Sequence, residues 1–238
     1  IYRLSISEYA ERFTLKGGIF LYALFGGEYA RATMDIDLLA QHISNDTEEI
    51  KNVFRDIFAI KCDDALRFDL DTLEVIRITE FKEYHGVNVS IMGYLDRTKV
   101  PVSIDIGFGD IVYPERMKME FPVLLDMEIP EVYAYSIYSV VAEKFEAFVS
   151  LGLANSRYKD FYDIYILANR YEFDGTKLKN AIVEAGKYDN KILIEEGIIG
   201  KEVECAVLGN EDVISSCVGE IKSADEFYSY DAKYNNEN

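Results

Sequence analysis

The stretch Arg31-Ala-Thr-Met-Asp-Ile-Asp-Leu38, RATMDIDL, sets two carboxylates one residue apart inside an apolar run. Alternate residues of a β-strand project to the same face, so a strand here points Asp35 and Asp37 together. Two neighbouring anions repel unless a cation lies between them. The spacing therefore predicts a strand that carries a metal site.

Working outward, FTLKGGIFLYALFGG (residues 13–27) reads as a short strand, a turn at Gly17-Gly18, a helix of small and apolar residues, and a stop at Gly26-Gly27. Strand TMDIDLLA (33–40) follows. NDTEEIKNVFRDIFAI (45–60) opens with the capping residues Asn45 and Asp46 and carries Ile50, Val53, Phe54, Ile57 and Phe58 at helical spacing. From Thr72 to Phe108 the period changes to two, and LEVIRITEF, GVNVSIMGYL and VPVSIDIGF are expected as three strands. YAYSIYSVVAEKFEAFVSLGL (133–153) reads as a helix capped by Ser136 and ended near Gly152, and SRYKDFYDIYILANRY (156–171) as a second. Helices and strands mixed in this order predict an α+β or α/β architecture around a mixed sheet.

The composition narrows the chemistry. The 238 residues are 49% apolar, enough for a proper core. With two His and no Trp, catalysis falls to carboxylates and lysines. Cys62, Cys205 and Cys217 lack close metal-type spacing and read as reduced thiols. A net charge of −18 argues against bulk electrostatic binding of nucleic acid, and Arg157 and Lys159 are the candidates for a local basic site. No run reaches the ~18 apolar residues of a membrane span, and the N-terminus lacks a secretory layout, so the expected setting is cytoplasmic, without a membrane partner.

If Gly17 and Gly18 open a helix beside a strand carrying Asp35 and Asp37, backbone N–H groups approach a phosphate while the carboxylates hold Mg²⁺ against it. Such a site binds a nucleoside triphosphate, and two-metal nucleotidyl transfer wants a third carboxylate. Asp105, flanked by Ile104 and Ile106 on a later strand, is the candidate, because an unpaired buried carboxylate is costly. Lys144 lies mid-helix, and Asp160 and Asp163 share one face of the next helix. Lys144 either neutralises triphosphate charge, with Asp160 or Asp163 positioning it or accepting a proton from the attacking hydroxyl, or belongs to a solvated salt bridge between helices. Lys16, Arg31, Thr33 and Asp163 complete the candidate nucleotide-binding set with Gly17 and Gly18.

Taken in order, FTLKGGIFLYAL, RATMDIDLL, VSIDIGFGD and AEKFEAFVSLGLANSRYKDFYDIYIL resemble the AbiEii-type nucleotidyltransferase toxin family over roughly residues 10–180. The resemblance implies a polymerase-beta-like fold with a mixed sheet and C-terminal helices. It also implies metal binding by Asp35 and Asp37, phosphate contact near Gly17 and Gly18, and functional roles for Lys144 and Asp160. Asp105 as third ligand rests on strand logic instead. The implied partners are GTP, CTP or ATP, a tRNA or protein acceptor, and a cognate antitoxin.

The tail differs in character. No Arg follows Arg170, and residues 181–238 hold 5 Lys against 13 Asp and Glu. KILIEEGIIGKEVECAVLGN, GEI and FYSYDAKY resemble the ATP-grasp region of D-alanine–D-alanine ligases, a β-rich fragment. That resemblance implies an adenine and ribose pocket at Glu195, Glu196 and Glu202, and a phosphate-facing loop at Lys233-Tyr234. The stretch ends before the acidic and Asn residues with which that family holds Mg²⁺, so ligase activity is not expected. Two parts are predicted: a transferase domain over 1–180, and over 181–238 a partial ligase-like fragment less well ordered than residues 10–170.

Overall fold

A computed structural model of the chain describes residues 1–27, 31–78, 86–151 and 157–185, together with four two-residue strands between 203 and 220. The architecture is α+β. Its centre is a mixed seven-stranded sheet in the order β3-β4-β5-β2-β1-β7-β6. These strands are β1 (Phe13–Lys16), β2 (Ile36–Ala40), β3 (Leu66–Arg77), β4 (Val87–Leu95), β5 (Thr98–Phe108), β6 (Met117–Glu120) and β7 (Glu131–Ala134). Strand β2 runs antiparallel to β1 and parallel to β5, and β1 runs parallel to β7.

Among the described residues six α-helices accompany the sheet: α1 (Tyr2–Ser5), α2 (Gly17–Leu24), α3 (Thr47–Ala59), α4 (Ile137–Leu151), α5 (Tyr158–Arg170) and α6 (Gly175–Ala185). Helix α3 forms where its apolar spacing predicts, burying Ile50, Val53, Phe54 and Ile57. Its start is fixed by Asp46, whose carboxylate accepts from the backbone N–H groups of Glu48 and Glu49. Phe54 meets Phe13 edge-to-face at 5.4 Å and Phe58 lies 4.6 Å from Phe68, so α3 is clamped to the sheet by aromatic contacts. On β4, Val87, Val89 and Ile91 alternate into the same core.

Three boundaries differ from the sequence expectation. Strand β3 begins at Leu66 rather than near Thr72, carried past an irregularity between Asp69 and Glu74. Strand β2 begins at Ile36 rather than Thr33, because β1 leaves the sheet at Gly17, where the backbone takes a left-handed φ of +66°. Tyr133 and Ala134 belong to β7 and not to the following helix: Ala134 is in register with Leu15, and the Tyr135 N–H donates to the Leu15 carbonyl. The helix starts at Ile137, capped by Ser136, whose hydroxyl accepts from the Ser139 N–H. Strand β6, the sheet edge beside β7, has no counterpart in the sequence reading.

The chain divides into two compact units, Ile1–Ile192 and Leu193–Asn238. The second contains two antiparallel pairs: β8 (Val203–Glu204) with β11 (Gly219–Glu220), and β9 (Val207–Leu208) with β10 (Ile214–Ser215). Glu195, Glu196, Glu202, Lys233 and Tyr234 lie outside the described residues, as does most of the tail whose order was in question. Among the described residues no helix is long and apolar enough to cross a membrane.

Replacing Asp46 by Ala leaves two N–H groups at the start of α3 without their acceptor and is expected to cost about 1 kcal/mol. Urea denaturation followed by circular dichroism measures it. An unchanged midpoint would show that the cap contributes nothing.

Candidate active site

The register of three strands builds the site. Lys16 pairs with Asp37 across β1 and β2, Asp37 with Asp105 across β2 and β5, and Asp105 with Asn88 across β5 and β4. Paired residues project to the same face, so these four side chains form one polar row across the sheet. The flanking Leu38 and Ile106 turn the other way into the core. The row lies at the end of β1, where the chain turns into α2.

Asp37 packs against that turn. A Cβ on Gly17 would fall 2.0 Å from Asp37 Oδ2, and one on Gly18 would fall 2.8 Å from Thr33 Oγ1 and 3.2 Å from Arg31 Nη1. The two glycines therefore let a carboxylate, a hydroxyl and a guanidinium close on the N-terminus of a helix, where free N–H groups favour anions. On its far side Asp105 is anchored by Asn88, whose Nδ2 donates to Asp105 Oδ1 at 2.7 Å and to Ser103 Oγ at 2.8 Å.

Burial holds the Asp37 carboxyl above the usual carboxylate range. Lys16 pulls it down, while the charges of Asp105, Glu143 and Asp35 push it further up. Asp35 precedes β2 and is solvent-exposed. The expectation that Asp35 and Asp37 share a strand is thus corrected, although the charge of Asp35 still reaches Asp37.

A second network stands on α4 and α5. Lys144 Nζ lies 2.7 Å from Asp160 Oδ1 and 2.8 Å from Asp163 Oδ2, with all three side chains buried. Arg31 Nε donates to Asp163 Oδ1 at 3.0 Å and its Nη2 to Asp163 Oδ2 at 3.1 Å, while Arg157 Nε lies 2.6 Å from Asp160 Oδ2. The i, i+3 spacing of Asp160 and Asp163 does place both on one face. Because that face is buried, the bridge is not the solvated one that spacing alone left open. Arg31 joins this network to the α2 turn.

Of the candidate metal, catalytic and nucleotide-binding residues of the transferase part, all except Asp35 thus fall into one of two linked clusters. Sequence reading missed four partners: Asn88, Tyr135, Asp110 and Glu143. Asp110 and Glu143 hold Lys16, at 2.8 Å and 2.9 Å from Nζ. Their local signal was slight, since Asp110 follows a glycine turn after β5 and Glu143 is one more charge beside Lys144. Among the described residues no three His, Cys, Asp or Glu side chains form a ready-made metal cage.

With this geometry in hand, the family model described as nucleotidyl transferase AbiEii toxin, type IV toxin–antitoxin system, matches residues 1–225. The chain belongs to this family. Among solved structures it is similar to JHP933 from Helicobacter pylori, at 14% identity and a TM-score of 0.47, covering 76% of this chain and 67% of that one. Part of the chain is also similar to the D-alanine–D-alanine ligase of Acetivibrio thermocellus, 59% identical over 61 residues, and to ligase A of Chromobacterium violaceum, 57% identical over 60. These matches take in 26% and 25% of this chain and span 16% of each ligase.

The raised carboxyl of Asp37 has a sign that can be tested. As pH rises above the ordinary range near 3.8, the unfolded chain releases this proton before the folded one, so ionised Asp37 subtracts from stability. The subtraction is absent below that range, grows through the window up to the raised folded value, and is complete above it. Asp37→Asn is therefore expected to raise the metal-free melting temperature at pH 7 and to match wild type near pH 3.5, as measured by differential scanning calorimetry. A lower melting temperature at pH 7 would contradict this. Asp163→Ala, which leaves buried Lys144 and partly buried Arg31 short of a partner, is expected to destabilise by about 3 kcal/mol in the same assay.

Proposed function

We propose that this protein transfers a nucleotide from a nucleoside triphosphate, GTP, CTP or ATP, to an RNA hydroxyl such as a tRNA end or to a protein hydroxyl. Mg²⁺ would be held by Asp37 and Asp105 with Asp35 beside them. The observation that carries this reading is the alignment of Asp37 with Asp105 against Gly17 at the start of α2. Family membership supports it and adds a cognate antitoxin as the implied partner. The same reading keeps the protein in the cytoplasm, where triphosphates are.

The donor set fits the ion. It is all oxygen and anionic, and Mg²⁺ takes one or two carboxylates together with substrate phosphates rather than a complete protein cage. When bound, Mg²⁺ neutralises phosphate charge and supports in-line displacement at phosphorus. The remaining work belongs to the chain. The α2 N-terminus presents N–H groups to phosphate oxygens, and Gly17 and Gly18, lacking Cβ atoms, leave the room in which Asp37, Thr33 and Arg31 close on that turn. Arg31 and Thr33 line the same turn. Asp160 and Asp163, buried and ion-paired, position Lys144 and Arg31 rather than taking the proton of the attacking hydroxyl.

Residues 1–180 are the proposed transferase part, and the segment after them the ligase-like part. The 59% identity over 61 residues favours a second reading, in which this segment contributes an ATP-grasp ligase activity. It ranks below the first because that match spans 16% of the ligase.

Incubation with each α-³²P-labelled triphosphate and total tRNA or protein extract, with and without Mg²⁺, tests the reading. Wild type is expected to label an acceptor only with the ion present, and Asp37→Asn to lose at least a thousandfold while remaining folded. Equal labelling by wild type and Asp37→Asn would overturn it, and D-alanine-dependent phosphate release from ATP would favour the ligase instead.

A further inference from the structure

Lys16 presents a problem that the site reading does not resolve. It stands directly opposite Asp37 in an antiparallel pair, where opposed side chains approach most closely and opposite charges attract. Left to that register, the ammonium would close onto Asp37 and occupy the oxygens a divalent cation needs. Two carboxylates from elsewhere in the fold draw it aside. Asp110, just beyond β5, takes Nζ at 2.8 Å, and Glu143, on α4, takes it at 2.9 Å. Tyr135 closes the arrangement, its hydroxyl donating to Asp110 Oδ2 at 3.2 Å and its ring lying 5.5 Å from Nζ.

We propose that Asp110 and Glu143 are positioning residues that hold Lys16 to the side of Asp37 and so keep the Asp37 oxygens open for a divalent cation. The inference rests on the reading of Asp37 and Asp105 as metal ligands. One lysine held by two carboxylates leaves this neighbourhood negative, which favours a dication over a monovalent side chain. Glu143 is adjacent in sequence to Lys144, so a single turn of α4 both restrains Lys16 and joins the Asp160 and Asp163 network. Displacement of α4 would disturb both clusters together.

A double-mutant cycle on the full chain tests this through metal binding alone, with Mn²⁺ as the probe, read by electron paramagnetic resonance and isothermal titration calorimetry. The Glu143 side chain is 45% exposed, so Glu143→Gln should fold, and thermal unfolding verifies it. Glu143→Gln is expected to weaken Mn²⁺ binding about tenfold, on the scale of outer-shell substitutions. Adding Lys16→Met to that variant is expected to restore most of the loss, whereas Lys16→Met in wild type changes affinity much less. Loss of charge alone would make the Lys16→Met gain equal in both backgrounds, and that result overturns the proposal, as does unchanged binding in Glu143→Gln. If wild type binds no Mn²⁺ and matches Asp37→Asn, both this inference and the metal reading fall. Wild-type binding with a cycle that sums to zero removes this one alone.

Discussion

The register of β2 against β5 is the constraint on which the site depends. Side chains alternate along a strand, so the pairing that sends Leu38 and Ile106 into the core also sends Asp37 and Asp105 together to the other face. A slip of one residue would turn the carboxylates toward the side on which Leu38 and Ile106 pack. Core formation therefore sets the carboxylate alignment. The cost is a fold that gathers like charge around Asp37 and partly buries it, a conflict of the kind that concentrates at functional sites.

The helical side of the site follows a different logic. Asp160, Asp163 and Lys144 are buried, and buried ion pairs recover little more than their own desolvation. What this network supplies is geometry. Asp163 receives Arg31 through two nitrogens, and that guanidinium reaches the cradle at Gly18. The segment leading into β2, the first turn of α2, and the α4–α5 pair are thus tied together by charged groups.

Much of this was legible in the sequence because local rules and tertiary demands agreed. Helix α3 carries its spacing and its Asp46 cap openly, β4 alternates, and the glycine pair does open a helix. The α+β class and mixed sheet followed from the order of such segments. What escaped was set by pairing between distant strands. Strand β7 is short and runs straight into the α4 cap, so Tyr133 and Ala134 read as helix until Leu15 gives them a partner. Asp35 matched a strand pattern that ends in space once Gly17 turns β1 away. Asp110 and Glu143 stayed hidden because their meaning lies in Lys16, 94 and 127 residues away.

The most direct measurement of the central claim is a crystal structure of the protein soaked with Mn²⁺ and a non-hydrolysable triphosphate, phased on the anomalous signal of the metal. The account predicts a manganese peak between the Asp37 and Asp105 carboxylates, with phosphate oxygens against the backbone of Gly17 and Gly18. A triphosphate bound elsewhere, or manganese peaks that avoid both aspartates, would contradict it.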